Sequence, residues 1–205
     1  MQTSLDAPST LYCSLSLRRD GNYCRGCVRD NDTEKDLFDE YVAIKPLMDS
    51  LLGSTDEPIM TCSCGEPGCA GFWHQESRLS ENCVHWLLNY KREHWDLLFD
   101  RDAYENAVLA VLRQFMEKTW ENMDFPSGAI LAEYPDCATF SRTVDALLSR
   151  SSRLSAKWAM LFSQPQDRES LEGLVEAEGG SRWKGAQDSA FTVSSTWPGD
   201  DGGVA

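Results

Sequence analysis

From Cys83 to Asn89 and from His94 to Phe99 the side chains sort into two faces with no remainder. Read as two strands joined across 90–93, the stretch puts Val84, Trp86, Leu88, Trp95, Leu97 and Phe99 on one face. Cys83, His85, Leu87, Asn89, His94, Asp96 and Leu98 fall on the other. In this register Asn89 faces His94, Leu87 faces Asp96 and His85 faces Leu98. Side chains alternate along a strand, so a slip of one residue would turn the whole apolar set out to water, and the register is strongly specified. The apolar face has to be core, and the rest of the chain has to cover it.

Upstream, Leu11, Cys13, Leu15 and Leu17 alternate with Thr10, Tyr12, Ser14 and Ser16. That is the period of a half-buried strand, with Cys13 on its apolar side as a small core residue. Asp20-Gly21-Asn22 is a hairpin signal, and 23–28 is its return arm. The stretch 37–44 has no clear period. Pro46 to Gly53 reads as a short helix, opened by proline and stopped by glycine. Short strands are expected at 59–61 and 72–76, with a turn at Ser80-Glu81-Asn82.

Asp100 or Asp102 caps a helix running to about Thr119, whose stripe of Tyr104, Val108, Val111, Leu112, Phe115 and Met116 can cover the sheet. Pro126, Gly128 and Pro135 then break the chain. A helical region follows from Asp136, with Phe140, Val144, Leu147 and Leu148 in one stripe and Leu154, Trp158, Leu161 and Phe162 continuing it past a break at 149–152. Asp167 opens a short acidic helix to Ala177, and the Gly, Ser and Asp rich remainder cannot build a core and reads as a disordered tail. Strands followed by helices give the α+β class: a small antiparallel β-meander covered by a long helix, with a helical C-terminal part. The expected division is 1–122 for the α+β domain, 123–178 for a helical extension and 179–205 for the tail.

Charge excludes one class of partner. The formal net charge is −14, whereas nucleic-acid binding draws on Lys and Arg that neutralise phosphates, so nucleic acid is an unfavoured partner. The richest acidic stretch holds Asp30, Asp32, Glu34, Asp36, Asp39 and Glu40 against Lys35 alone. It reads as a solvated surface, and more sharply as one that steers a basic protein partner. No apolar run approaches the roughly 20 residues of a spanning helix, and the first residues have neither a basic leader nor a hydrophobic region. The expected location is cytoplasmic, away from membranes.

Eight cysteines in such a compartment read as metal ligands or buried thiols rather than disulfides. Cys62, Cys64 and Cys69 are packed with three glycines into the ten residues 62–71, a backbone able to aim several thiols at one point. A structural zinc takes four nitrogen or sulfur ligands at tetrahedral corners. The best local set is Cys62, Cys64 and Cys69 closed by Cys83 or His85, with His74 in reserve. A second set pairs Cys24 and Cys27 with Cys62 and Cys64. Cys24-x-x-Cys27 also has the spacing of a redox dithiol, but its hairpin context favours structural or surface thiols. Cys137, near a helix start, has no base beside it and reads as inert.

The order Cys62-x-Cys64, an 18-residue spacer and Cys83-x-His85 resembles the SWIM-type zinc finger. That resemblance implies a zinc held by these four residues, a helix starting near Asn82 and an association with nucleic acid. The run Cys62-Ser63-Cys64-Gly65-x-x-Gly68-Cys69-Ala70-Gly71, followed by a Trp-bearing strand at Val84-His85-Trp86, looks like a group of small uncharacterised bacterial proteins. It spans roughly 36–119 and implies a fold without an activity.

The chain has no Gly-x-Ser-x-Gly, phosphate loop or His-Glu-x-x-His. A catalytic zinc would draw on His74, His85 or His94 with Asp96. The reading that results is an acidic cytoplasmic interaction module of inhibitor, immunity or regulatory type, with a structural zinc or a thiol-rich turn. The alternatives are a SWIM-like finger associated with nucleic acid and a metal-dependent or thiol enzyme.

Overall fold

The computed structural model of the chain describes residues 10–62, 71–117 and 134–163, without the side chains of Trp73 and His74. The first hairpin is β1 (Leu11–Asp20) and β2 (Tyr23–Asp30), joined by the two residues Gly21 and Asn22. Gly21 has a φ of 58°, the left-handed conformation such a tight turn needs. Next come β3 (Asp36–Val42), α1 (Ile44–Asp49) and the two-residue β4 (Met60–Thr61). After 63–70 the chain runs through β5 (Phe72–Leu79), β6 (Cys83–Tyr90) and β7 (Glu93–Asp100) directly into α2 (Arg101–Glu117). Two further helices follow, α3 (Cys137–Ser149) and α4 (Ser152–Ser163).

The class is α+β, and the sheet is wider than a meander. Its seven strands lie in the order β4-β3-β2-β1-β7-β6-β5. All neighbours are antiparallel except β1 and β7, which run parallel where Leu11, Tyr12 and Cys13 meet Leu97, Leu98 and Phe99. The β6–β7 register is the one the apolar pattern dictates: His85 opposite Leu98, Leu87 opposite Asp96, Asn89 opposite His94. Tyr90 also pairs with Glu93, so the turn narrows to Lys91 and Arg92, at φ of 49° and 74°.

The strand β3 has no legible period because only Phe38 and Val42 of its seven residues are buried, the others facing outward or lying at the rim. Phe38 nonetheless reaches the far half of the sheet. Its ring sits 5.4 Å from Phe72 of β5, 5.1 Å from Tyr90 of β6 and 5.1 Å from Trp95 of β7. The sheet is therefore rolled, and its edges meet. Thr55 and Ser77 exchange backbone hydrogen bonds of 2.9 and 2.7 Å, and the Gln75 carboxamide bonds to the backbone of Ile59 and Met60. Close approach inside the roll needs a missing side chain at Gly26, where a Cβ would stand 2.6 Å from Val42 Cγ2 and 3.2 Å from Leu17 Cδ2.

The helices α1 and α2 fill the concave side. Tyr104 of α2 packs edge-on against Trp86 and tilted against Phe99, and its hydroxyl lies 2.8 Å from Ser50 Oγ just after α1. Asp100 caps α2 through the Ala103 N–H at 2.8 Å, and Asp136 caps α3 through the Thr139 N–H at 2.6 Å. Phe140 of α3 meets Phe115 of α2 with ring centres 6.2 Å apart, and Leu154 of α4 is fully buried.

Chain contacts group Met1–Gln164 as one unit and Pro165–Ala205 as another, and the second lies wholly outside the described residues. The helix expected at 167–177 and the tail expected after Gly179 fall there. No helix among the described residues is long and apolar enough to cross a membrane.

Candidate functional site

The thiol-rich turn leaves the sheet at Cys62, one residue beyond β4, and returns at Gly71, one residue before β5. Gly71 is pinned to the tip of the β6–β7 hairpin, its carbonyl accepting from the Lys91 N–H at 3.0 Å. Cys83 starts β6 at the other end, opposite Asp100, while Tyr90 ends it. Seven residues of strand separate Cys83 from Tyr90, about 23 Å at the usual rise, and five separate His85 from it, about 17 Å. Cys83 is therefore far from the point where the turn re-enters the sheet. The register places His74 opposite Asn89, and Asn89 opposite His94, one row from that point.

Cys62 is disulfide-bonded, with a partner outside the described residues, where a free thiol was expected. Cys64 and Cys69 also lie outside them. Among the described residues no group of three or more His, Cys, Asp or Glu side chains is placed to hold a metal.

His85 has one ring nitrogen engaged within the sheet. Its Nε2 is hydrogen-bonded to Asp96 Oδ1, and the other carboxylate oxygen accepts from Thr10 Oγ1 at 3.1 Å. His94 bonds through Nδ1 to Asn89 Oδ1. Cys83 Sγ lies 2.9 Å from Ser80 Oγ. His85 and Asp96 are thus brought together, while His94 turns to Asn89.

Cys24 and Cys27 are free thiols on a strand, three residues apart, and so point to opposite faces. Cys24 is 2% exposed within the core, and burial pushes its thiol up to about 12. Cys27 faces outward and is half-buried. Strand geometry thus denies the pair a shared metal or a mutual disulfide. Cys13 is buried in the core as expected, its thiol raised to about 12 by burial and by the nearby Asp30 carboxylate.

The convex face of the sheet carries the remaining polar chemistry. Along β1 and β2 the register aligns Ser14 with Arg29, Ser16 with Cys27 and Arg18 with Arg25. On β3, Asp36 takes Arg29 Nε at 2.7 Å, and Asp39 lies 3.3 Å from Arg25 and 3.9 Å from Arg18. A shallow depression of about 240 Å³ opens there, lined by Ser14, Leu15, Ser16, Cys27 and Arg29. Of these residues only Cys27 stood out as a candidate in the sequence, yet the two-residue turn at Gly21 and Asn22 fixes the alignment once β1 is known to run to Asp20.

Beyond Arg29 the chain turns through six consecutive exposed residues, 31–36. Asp30 folds the start of this turn, accepting from the Asp32 N–H at 3.0 Å and from Thr33 Oγ1 at 2.6 Å. Those bonds, the Thr33 hydroxyl first, hold its carboxyl below the usual range. Asp32 and Glu34 form no ion pair among the described residues.

No family model, curated protein or solved structure matches the chain.

Proposed function

We propose that the protein is an acidic, cytoplasmic interaction module of inhibitor, immunity or regulatory type, whose partner is a protein with a basic surface. The observation that carries this reading is the β2–β3 connection. It is exposed throughout 31–36 and offers Asp32 and Glu34 without ion pairs from the chain's own described bases. On a chain of net charge −14, such a projection favours encounter with a cationic surface and repels polyanions.

The test is affinity capture of partners from the native host over a salt series, with Asp32→Asn/Glu34→Gln as the comparison. A basic protein retained at physiological salt, released by about 0.5 M salt as screening shortens the Debye length, and lost with the variant supports the reading. Tight binding to DNA that persists in the variant overturns it.

A structural zinc belongs to the same reading as the stabiliser of the turn. The donors near one another in sequence are Cys62, Cys64 and Cys69, and a zinc needs Cys62 as a thiolate, so the proposal applies to the reduced chain. Metal analysis of protein purified under reductant without added zinc is the check. About one zinc per chain is expected, and less than about 0.2 would remove the zinc from the reading.

A further inference from the structure

We propose that the convex face of the β1–β2 hairpin holds a binding site for a phosphomonoester, formed by Arg29, Ser14, Ser16 and Cys27. Their side chains make one square on the sheet. Ser14 stands directly across from Arg29 and Ser16 directly across from Cys27. Cross-strand neighbours are about 5 Å apart and residues two apart on one strand about 7 Å, which sets the corners at the scale of a tetrahedral oxyanion. The depression between them, about 240 Å³, has room for the anion and a small substituent.

The donors are available. Arg29 spends only its Nε, on Asp36 Oδ1 at 2.7 Å, which fixes the plane of the guanidinium and leaves both terminal nitrogens without a partner among the described residues. The hydroxyls of Ser14 and Ser16 make no hydrogen bond there either, and both residues are exposed. Cys27 remains a thiol at neutral pH, because burial and then the Asp36 carboxylate push its proton affinity up, and its S–H is given to Asp36, so it lines the site without negative charge and is not counted among the donors. A guanidinium with two free ends and two hydroxyls outnumber the acceptors of a carboxylate and suit the several oxygens of a phosphate.

The local charge agrees although the chain as a whole is acidic. Arg18, Arg25 and Arg29 line this face, where the carboxylates in ion pairs are Asp36 with Arg29, and Asp39 with Arg25 and, at the greater distance of 3.9 Å, Arg18. Asp32 and Glu34 lie past the end of β2 in the following turn, and of the two Glu34 is near enough to act electrostatically on Arg29, after Asp36.

Titration of the full chain with phenyl phosphate and, separately, inorganic phosphate at low ionic strength, followed by amide chemical shifts, tests the site. Saturable shifts centred on Ser14, Ser16, Cys27 and Arg29 are expected, with phenyl phosphate the tighter ligand. Arg29→Ala should weaken binding about tenfold or more, equivalent to about 1.4 kcal/mol. Arg78→Ala should leave it unchanged, since Arg78 is an exposed arginine bound to Glu76 elsewhere on the convex face. A thermal melt of each variant separates lost binding from lost fold. Shifts that fail to saturate by about 20 mM overturn the proposal, as does binding that survives Arg29→Ala. Tighter binding of inorganic phosphate than of phenyl phosphate overturns the monoester assignment. None of these outcomes depends on the basic protein partner.

Discussion

The side chain of Gln75 pairs with the backbone of Met60 as a neighbouring strand would. Its Oε1 accepts from the Met60 N–H at 2.7 Å, and its Nε2 donates to the Met60 carbonyl at 2.6 Å. The same Oε1 accepts from the Ile59 N–H at 3.0 Å. Both edges of the sheet are thereby satisfied where their backbones do not pair, and Gln75, Ile59 and Met60 are all buried.

Gln75→Ala leaves two buried N–H groups and one buried carbonyl without partners, each costing about 1–3 kcal/mol. A loss of about 3 kcal/mol is expected, read as a lower urea midpoint with an unchanged slope. Gln75→Glu keeps the acceptor and loses the donor, setting a carboxylate against the Met60 carbonyl, and should be no better than alanine at neutral pH. A loss below about 0.5 kcal/mol for both variants would show that water satisfies this seam.

A residue that sequence reasoning passed over is also held in strain. Arg92 has a φ of 74°, in the left-handed region where a side chain costs about 1–2 kcal/mol and glycine costs little. Lys91, at φ 49°, earns its place through a bond from its N–H to Gly71 and through its ammonium 4.7 Å from the Tyr90 ring centre. Arg92→Gly alone is therefore expected to stabilise the protein by about 1 kcal/mol, raising the melting temperature by a few degrees. An unchanged or lower melting temperature would refute it.

What the sequence makes legible follows burial. The β6–β7 register is readable because every second residue from Val84 to Leu88 and from Trp95 to Phe99 is large and apolar, so only one alignment keeps them dry. The caps Asp100 and Asp136 are readable because a carboxylate before an apolar helical stripe has a local task. The roll of the sheet is not. It rests on contacts such as Phe38 with Phe72, and Gln75 with Met60, between strands far apart in the chain, and no periodicity reports which edges meet. The cysteine pattern misleads for a related reason: Cys24-x-x-Cys27 is a ligand spacing in a turn, whereas on the strand β2 it sends the sulfurs to opposite faces.

Glu105 ties the last helices to the rest of the fold. Its side chain is fully buried on α2, with Arg101 Nε at 2.7 Å and, from α4, Arg153 Nε at 2.8 Å and Lys157 Nζ at 2.9 Å. Burial alone would raise its carboxyl, but the bonds from Arg153, Lys157 and Arg101 outweigh it and hold the group below its ordinary value. A depressed carboxylate contributes stability that is present above the unfolded value of about 4.3 and is lost as pH falls through the lower folded value. Wild type should therefore lose stability below about pH 4, and Glu105→Gln should lose less there while costing about 1–2 kcal/mol at pH 7, because Arg153 and Lys157 keep Asp102 as a partner. Amide exchange should report α4 opening ahead of the sheet in that variant, and uniform loss across both would place the network's effect elsewhere.

The five free cysteines among the described residues divide by environment in a way that thiol labelling can read. Cys13 and Cys24 are 4% and 2% exposed, and burial raises both thiols to about 12, so neither offers a thiolate or an approach path at neutral pH. Cys27, Cys83 and Cys137 are partly exposed. Labelling of native protein with an alkylating agent, followed by peptide mapping, is expected to mark Cys27, Cys83 and Cys137 and to reach Cys13 and Cys24 only after denaturation. Among the first three, Cys27 should be the slowest, because its burial and then the Asp36 carboxylate beside it oppose formation of a thiolate. Asp36→Asn should speed its labelling without changing that of Cys137. Equal rates at Cys27 with and without the carboxylate would mean that access alone, and not charge, governs this thiol.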